Sequence, residues 1–449
     1  MQTLPSDPGS GLVLAPFRGI RYARDRVSGI ANVTSPPYDV ISGGSLDHLR
    51  AADPHNVVRL ILPGEDADAS KAAASLLREW LSSGVLIRDR MPALYLYEQS
   101  GTSSWLQRGI IALVRLGTPE SAGILPHEGV MPGPVAGRRK LMEATQANLE
   151  PIFLIYDGDE AGGGDADTAT GTGASTATAI IDRVAAERAP LVTIVTEDGV
   201  THRLWRLGDP GEQVAIAADL AGRRALIADG HHRYAAYLDL QAEMRASGLG
   251  AGPWDYGLAF LVDSAAYPPR LGAIHRVLPG LSPERAAELA KAAFTVQDLP
   301  AGFSLENALR CLAAAGMEGT AFLLAGGPVF RLLSHPDPVQ VAASMPSGAS
   351  GSWQSLDAAV LQQLLLGRLW GVTDNEHNVL IDHDAADAVR AVSGDASAAG
   401  GTAVIQNPVS FGAVVDIAAN GERVPRKSTS FGPKPRTGLV LRTFGPSDS

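Results

Sequence analysis

Apolar residues recur along this chain in two rhythms, one with the two-residue period of strands and one with the spacing of helices. "NVVRLILP" (Asn56 to Pro63) reads as a buried strand. "SKAAASLLREWLSSG" reads as a helix with Ser70 as N-cap and Gly84 at its end. "ALYLYEQ" and "QRGIIALVRL" read as two strands joined by the polar turn "SGTSSW". Further on, "ATAIIDRVAAERA" predicts a helix and "LVTIVTEDGVTHRLWRL" a hairpin turning at Asp198-Gly199. "ALIADG" predicts a short strand stopping at glycine, "RYAAYLDLQAEMRASG" a helix ending near Gly248, and "DYGLAFLVD" a core strand. Residues 282–345 read as helix, strand, helix and a hairpin around Gly326-Gly327. The last hundred or so residues open with the amphipathic helix "SLDAAVLQQLLLGRLWG" and close with strands around an Asn420-Gly421 turn.

This mixture predicts an α+β (mixed α/β) fold without internal repeats. Five segments follow: an N-terminal α/β region at 12–156, a low-complexity insertion at 157–179, a segment at 180–281, an α+β region at 282–345, and a C-terminal region at 346–449. The insertion has no aromatic residue and few large apolar ones, so burial cannot offset its ordering entropy.

Composition narrows the function. A net charge of -11, from 37 basic and 48 acidic residues, argues against a protein whose main surface binds DNA. Cys311 is the single cysteine and lies in the apolar helical stretch "LENALRCLAAAG", which excludes intramolecular disulfides and suits a reducing cytoplasm. The N-terminus lacks the pattern of a signal peptide, and no apolar run is long enough to span a membrane. The expectation is a cytoplasmic chain with no membrane partner.

Four polar stretches stand out. In "LIADGHHRYAAY" the group Asp229, Gly230, His231, His232 and Arg233 sits where a strand gives way to a helix, a junction that favours anions. Gly230 permits close approach, Arg233 can grip phosphate or carboxylate, the histidines can donate or move a proton, and Asp229 can hold Mg²⁺ or orient a histidine. The alternative is a plain Asp N-cap followed by surface histidines. "SPPYDVIS" contributes Tyr38 and Asp39. "LPHEGVMPGPVAGRRKLMEATQANLEPIF" carries His127, Glu128, Arg138, Arg139 and Asn148, with Glu128 as a candidate general base.

The fourth stretch, "NGERVPRKSTSFGPKPRTG", packs Arg423, Arg426, Lys427, Lys434 and Arg436 against the single acid Glu422. Ser428 and Thr429 add hydroxyl donors. A P-loop is excluded, because Arg426 replaces the second glycine and Pro425 removes an N–H. Phosphate binding by Gly230, Arg233, Lys427, Ser428, Thr429, Lys434 and Arg436 is one reading; a solvated basic loop is the other. His127, His231, His232 and His275 match no metal-binding spacing.

Taken in order, "PPYDVI", "DPHNVVRLILP", "LPHE" with "NLEPIFLIY", "ADGHHRYAAY", "AIHRVL" and "RKSTSFGPKPRTGLV" resemble the bacterial and archaeal domain-of-unknown-function 1015 family over about residues 15–442. The "DGHHR" element is also similar to the phosphate-binding turn of the ParB/sulfiredoxin superfamily, which includes free serine kinases. The resemblance implies a ParB/sulfiredoxin-like core at 180–281 with additional α+β regions. It implies a nucleotide-dependent phosphotransferase or phosphohydrolase acting on a small metabolite such as serine or phosphoserine, with a nucleotide and Mg²⁺ as cofactors. Asp229, His231, His232 and Arg233 fall on the phosphate-binding turn; Glu128 is placed as the base by role, not by motif. His275 and Arg276, in "AIHRVL", join the pocket residues. No cysteine stands beside the turn, as sulfiredoxin chemistry needs, and no helix-turn-helix is evident. A nucleotide-binding regulator without turnover is the competing reading, and the sequence leaves the oligomeric state open.

Overall fold

Segments rich in Val, Ile, Leu and aromatic residues build one mixed sheet, because both of its faces are covered and the strands can be continuously apolar. The computed structural model describes residues 11–101, 105–117, 123–158, 175–375, 377–394, 396 and 398–444. The bulk of the low-complexity insertion (159–174) and the centre of the "SGTSSW" turn (102–104) lie outside the described residues. The chain divides into two compact units. The first comprises Met1–Pro126, Val130–Pro269 and Pro433–Ser449; the second comprises His127–Gly129 and Arg270–Gly432.

The sheet of the first unit contains β1 (Leu14–Ala15), β2 (Leu94–Ser100), β3 (Leu106–Arg115), β4 (Ile124–Leu125), β5 (Ile152–Tyr156), β6 (Val192–Val195), β7 (Thr201–Leu207), β8 (Ala225–Asp229) and β9 (Tyr256–Asp263). Their order is β4-β8-β5-β9-β3-β2-β7-β6, with β1 pairing β3. The β4–β8 and β5–β9 pairs are parallel and the rest antiparallel. The sheet therefore draws strands from both the 12–156 and the 180–281 segments. Around it lie α1 (Gly43–Ala52), α2 (Val58–Ile61), α3 (Ala69–Ser82), α4 (Pro132–Thr145), α5 (Thr176–Glu187) and α6 (His231–Ala246). Helix α5 starts inside the stretch read as insertion, because Ser175 caps it by accepting from Thr178 N at 3.2 Å.

In the second unit, β10 (His275–Leu278), β11 (Thr295–Asp298), β12 (Phe322–Ala325), β13 (Arg331–Ser334), β14 (Leu380–Asp382) and β15 (Thr402–Gln406) form an antiparallel sheet ordered β11-β13-β12-β15-β10-β14. The Gly326-Gly327 hairpin joins β12 to β13.

Three expectations are corrected. "NVVRLILP" is the one-turn helix α2, not a strand. Asn56 turns the chain there, its Oδ1 accepting from Val58 N at 2.9 Å. The N-cap position of α3 is Asp68, with no side-chain cap, so Ser70 lies inside the helix. Asn420-Gly421 is no hairpin: it ends α7 (Phe411–Ala419), whose N-cap Ser410 accepts from Ala413 N at 3.2 Å. The helix "SLDAAVLQQLLLGRLWG" is an α-turn at Asp357–Val360 continuing as a wider π-helix at Leu361–Leu369. Among the described residues no helix is long and apolar enough to cross a membrane.

Candidate functional site

The first-unit site starts at a flaw in the sheet. The pairing of β8 with β5 shifts register between Ile227 and Asp229, and a bulge re-aims the strand's last side chain. Gly230 follows at φ +94°, a left-handed conformation that lets α6 begin immediately, two residues earlier than its sequence pattern indicated. No side chain caps this helix. A Cβ at residue 230 would stand 3.1 Å from both Arg233 Nε and Ile152 Cγ2. Gly230→Ala should therefore destabilise the protein by about 1–2 kcal/mol from backbone strain alone. Urea unfolding will measure it, and an unchanged midpoint would show the turn to be unstrained.

The inner face of α6 carries Arg233, Tyr237 and Leu240, spaced so that all three point inward. An arginine on that face must be compensated. Arg233 is only 3 % exposed; it pairs with Asp229 Oδ2, donates to the Pro151 carbonyl at 2.5 Å and faces the Tyr38 ring at 5.9 Å. Burial opposes its charge, but Glu150, Asp229 and Asp39 outweigh burial and raise its pKa.

Asp229 Oδ1 takes Lys434 Nζ at 2.5 Å, and the same ammonium reaches Asp39 Oδ2 at 2.6 Å. Lys434 is thus clamped between two carboxylates. Burial would lower its pKa, yet Asp229 and Asp39 raise it. Burial would raise that of Asp39, yet Lys434 and Arg233 lower it. The Asp39 side chain is 34 % exposed, against 7 % for Asp229, so Asp39 is the acid that meets solvent.

Behind this row lies a residue that sequence reasoning missed. Glu150 Oε1 accepts from Tyr38 N at 3.0 Å and from Thr437 Oγ1 at 3.3 Å, and Oε2 lies 3.9 Å from Arg138. Burial raises its pKa against the pull of Arg233 and Arg138. Its signal was an acid flanked by Leu149 and Pro151 in an apolar run, a place where a carboxylate needs a partner. Arg138 stacks on the Tyr38 ring at 4.2 Å. The histidines sit beside the cluster: His231 is buried, and His232 Nε2 accepts from Met131 N at 3.1 Å.

Two other expected residues of this unit make further contacts. Asn148 Oδ1 accepts from Arg442 at 2.9 Å. Arg436 donates from Nε to Thr34 Oγ1 at 2.7 Å and from its backbone N to Tyr97 Oη at 3.1 Å. The Tyr97 hydroxyl also meets His202 Nδ1 at 2.8 Å, and His202 Nε2 meets Thr196 Oγ1 at 3.2 Å. Burial, then Arg436, pushes the His202 pKa from 6.5 down to about 4. A histidine depressed this way stabilises the fold fully above its unfolded pKa and less as pH falls toward 4. That loss should reach about 3 kcal/mol in the window from pH 6.5 to 4. Denaturant unfolding across it should give a shallower pH slope for His202→Gln; an identical slope would remove His202 as its source.

In the second unit, a different group forms. Glu128 Oε1 accepts from Lys427 N at 3.2 Å, and Lys427 is a non-glycine residue at φ +54°. Arg276 Nη2 donates to the carbonyls of Arg426 and Lys427 at 3.1 and 2.9 Å, and burial lowers its pKa to about 10. His127 Nε2 meets Thr429 Oγ1 at 2.8 Å, and Ser428 Oγ donates to the Pro425 carbonyl at 2.6 Å. Arg426 lies 3.5 Å from Asp374. His275 sits in β10, its Nδ1 3.4 Å from Gln406 N. The stretch read as one basic loop is therefore divided: Lys427, Ser428 and Thr429 belong to the second unit, Lys434 and Arg436 to the first.

Among the described residues no group of three or more His, Cys, Asp or Glu side chains is arranged to hold a metal ion. Both oxygens of Asp229 are already engaged by cations, so this donor set does not fit the Mg²⁺ expected there.

A family model described as a protein of unknown function (DUF1015) matches residues 14–359, most of the chain. The chain belongs to this family. No curated protein matches this DUF1015 chain in sequence. Among solved structures it is similar to a free serine kinase in complex with AMP, with 13 % identity, TM-score 0.33, and coverage of 72 % of this chain and 87 % of that one. It is similar also to C-terminally truncated SbnI from Staphylococcus aureus, with 12 % identity, TM-score 0.31, and coverage of 71 % and 82 %. A conserved hypothetical protein from Pyrococcus furiosus gives 13 % identity, TM-score 0.32, and coverage of 74 % and 93 %.

Proposed function

We propose that this DUF1015 protein is a phosphoryl-transfer enzyme that binds nucleotide phosphates at the start of α6 and acts on a small metabolite. The observation that carries the reading is the clamp of Lys434 between Asp39 and Asp229 beside the uncapped helix and Arg233. Positioning and charge stabilisation supply most of the catalysis in phosphoryl transfer, so a fixed ammonium on a rigid turn is the part such a reaction needs. An arriving phosphate group would draw Lys434 from its carboxylates, and Asp39, the exposed acid, would be released toward the substrate hydroxyl. Asp39 takes this role in place of Glu128, whose carboxylate is engaged with Lys427 in the second unit.

Thermal unfolding with ATP, ADP, CTP, serine and phosphoserine tests the reading. A nucleotide at a hundredfold excess over its Kd should stabilise the protein by about 2.7 kcal/mol. If no nucleotide raises Tm, the proposal falls. If nucleotide binds but no phosphoryl transfer to or from any metabolite is detected, the chain is a nucleotide-responsive regulator instead.

A further inference from the structure

A second feature of the first unit stands apart from the Lys434 clamp. A cavity of about 600 Å³ is lined by Pro36, by Ser45 and His48 of α1, by Glu197 and Asp198 of the β6–β7 turn, and by Arg436. That size is typical of pockets that enclose a whole small molecule.

Arg436 is the informative wall residue. Its Nε and Nη2 donate only to neutral oxygens, Thr34 Oγ1, Thr34 O and Ala31 O, at 2.7, 3.0 and 3.3 Å. Among the described residues no carboxylate lies within ion-pairing distance of it, and its Nη1 donates to none of them. Asp198 and Glu197 of the same wall act on this cation only from beyond ion-pairing distance, so a carboxylate entering the cavity would be its first direct counter-ion. The guanidinium is also held in place: its backbone N is tied to Tyr97, and Tyr97 leads through His202 and Thr196 to Asp198, which accepts from Thr196 Oγ1 at 2.5 Å.

The remaining charges choose the anion. Glu197 and Asp198 on the same wall would repel a dianionic phosphate. A single carboxylate is balanced by Arg436, and the two acids then become acceptors for N–H or ammonium groups on the same molecule. We infer that this cavity binds a small carboxylic acid that also carries amino groups, with its carboxylate on the Arg436 guanidinium. This binding does not depend on phosphoryl transfer at the Lys434 clamp.

Isothermal titration of the full chain with the twenty common amino acids, their decarboxylated amines and inorganic phosphate tests the assignment. At least one amino acid should bind, and its amine counterpart should not. Arg436→Met should weaken that binding at least tenfold. Because Arg436 also braces Thr34, a second variant keeps the test clean: Ser45→Trp fills the cavity from an exposed helix position and should abolish binding while leaving circular dichroism unchanged. Binding that survives Ser45→Trp, binding of phosphate alone, or no amino-acid binding in the native protein would each overturn the inference.

Discussion

Arg233→Met should destabilise the protein by about 3–5 kcal/mol, the cost of leaving buried charge without its partner. Met approximates the volume of the removed side chain, so the loss reports electrostatics more than packing. Of their cations, Asp229 would keep Lys434 and Glu150 would keep Arg138 at 3.9 Å. Typical domains are stable by only about 5–15 kcal/mol, so the variant would approach the unfolding threshold. The sign of its pH dependence follows from the carboxylates. Arg233 pulls the Glu150 pKa down against burial, so its removal raises that folded-state pKa further, and an acid so raised costs stability when ionised and none when protonated. The gap between variant and native protein should therefore narrow as pH falls through the carboxylate range. Urea titrations at pH 7.5 and 5 will measure it; a loss under about 1 kcal/mol at both would mean the pair contributes specificity and not stability.

Lys434→Met should act on function more than on folding. Its side chain is 23 % exposed, Asp229 keeps Arg233, and Asp39 faces solvent, so the fold has other ways to settle these charges. If the ammonium holds the transferred group, its removal should lower turnover roughly 10²-fold, the usual cost of deleting one transition-state donor. The nucleotide-induced rise in Tm should shrink with it. Full activity in Lys434→Met would leave the α6 turn as a structural ion-pair network and end the proposal.

The core of the first unit was legible because long apolar runs have only one reading. β2, β3, β8 and β9 sit where "ALYLYEQ", "QRGIIALVRL", "ALIADG" and "DYGLAFLVD" placed them. The run "NVVRLILP" was short enough to suit a helical turn equally well, and Asn56 decided it through a local hydrogen bond that periodicity does not register. At Asn420-Gly421 the turn dipeptide was read without the Ser410 cap and the apolar run "FGAVVDIAA" upstream. Those residues identify the pair as a helix end. In the candidate site, residue types pointed to Asp229, Arg233, Tyr38, Asp39, Arg138 and Lys434, which the fold brings together. The separation of Lys427 from Lys434 was illegible, because the short polar stretch "STSFGP" between them shows no sign of which unit each belongs to. Glu150 was hidden among apolar neighbours, where one acid adds little to any pattern.

The first unit is written in pieces: residues 270–432 are spelled out before the segment that supplies Lys434 and Arg442. During synthesis the strands of its sheet emerge early, and Asp39 and Asp229 must wait without Lys434 while residues 270–432 are made. Vectorial folding, which normally favours whatever is translated first, here leaves the earlier segments of the first unit unfinished until the segment after residue 432 arrives. A ribosome stalled within 270–432 would display the sheet without its lysine, a nascent chain whose charge cluster is still short of one partner.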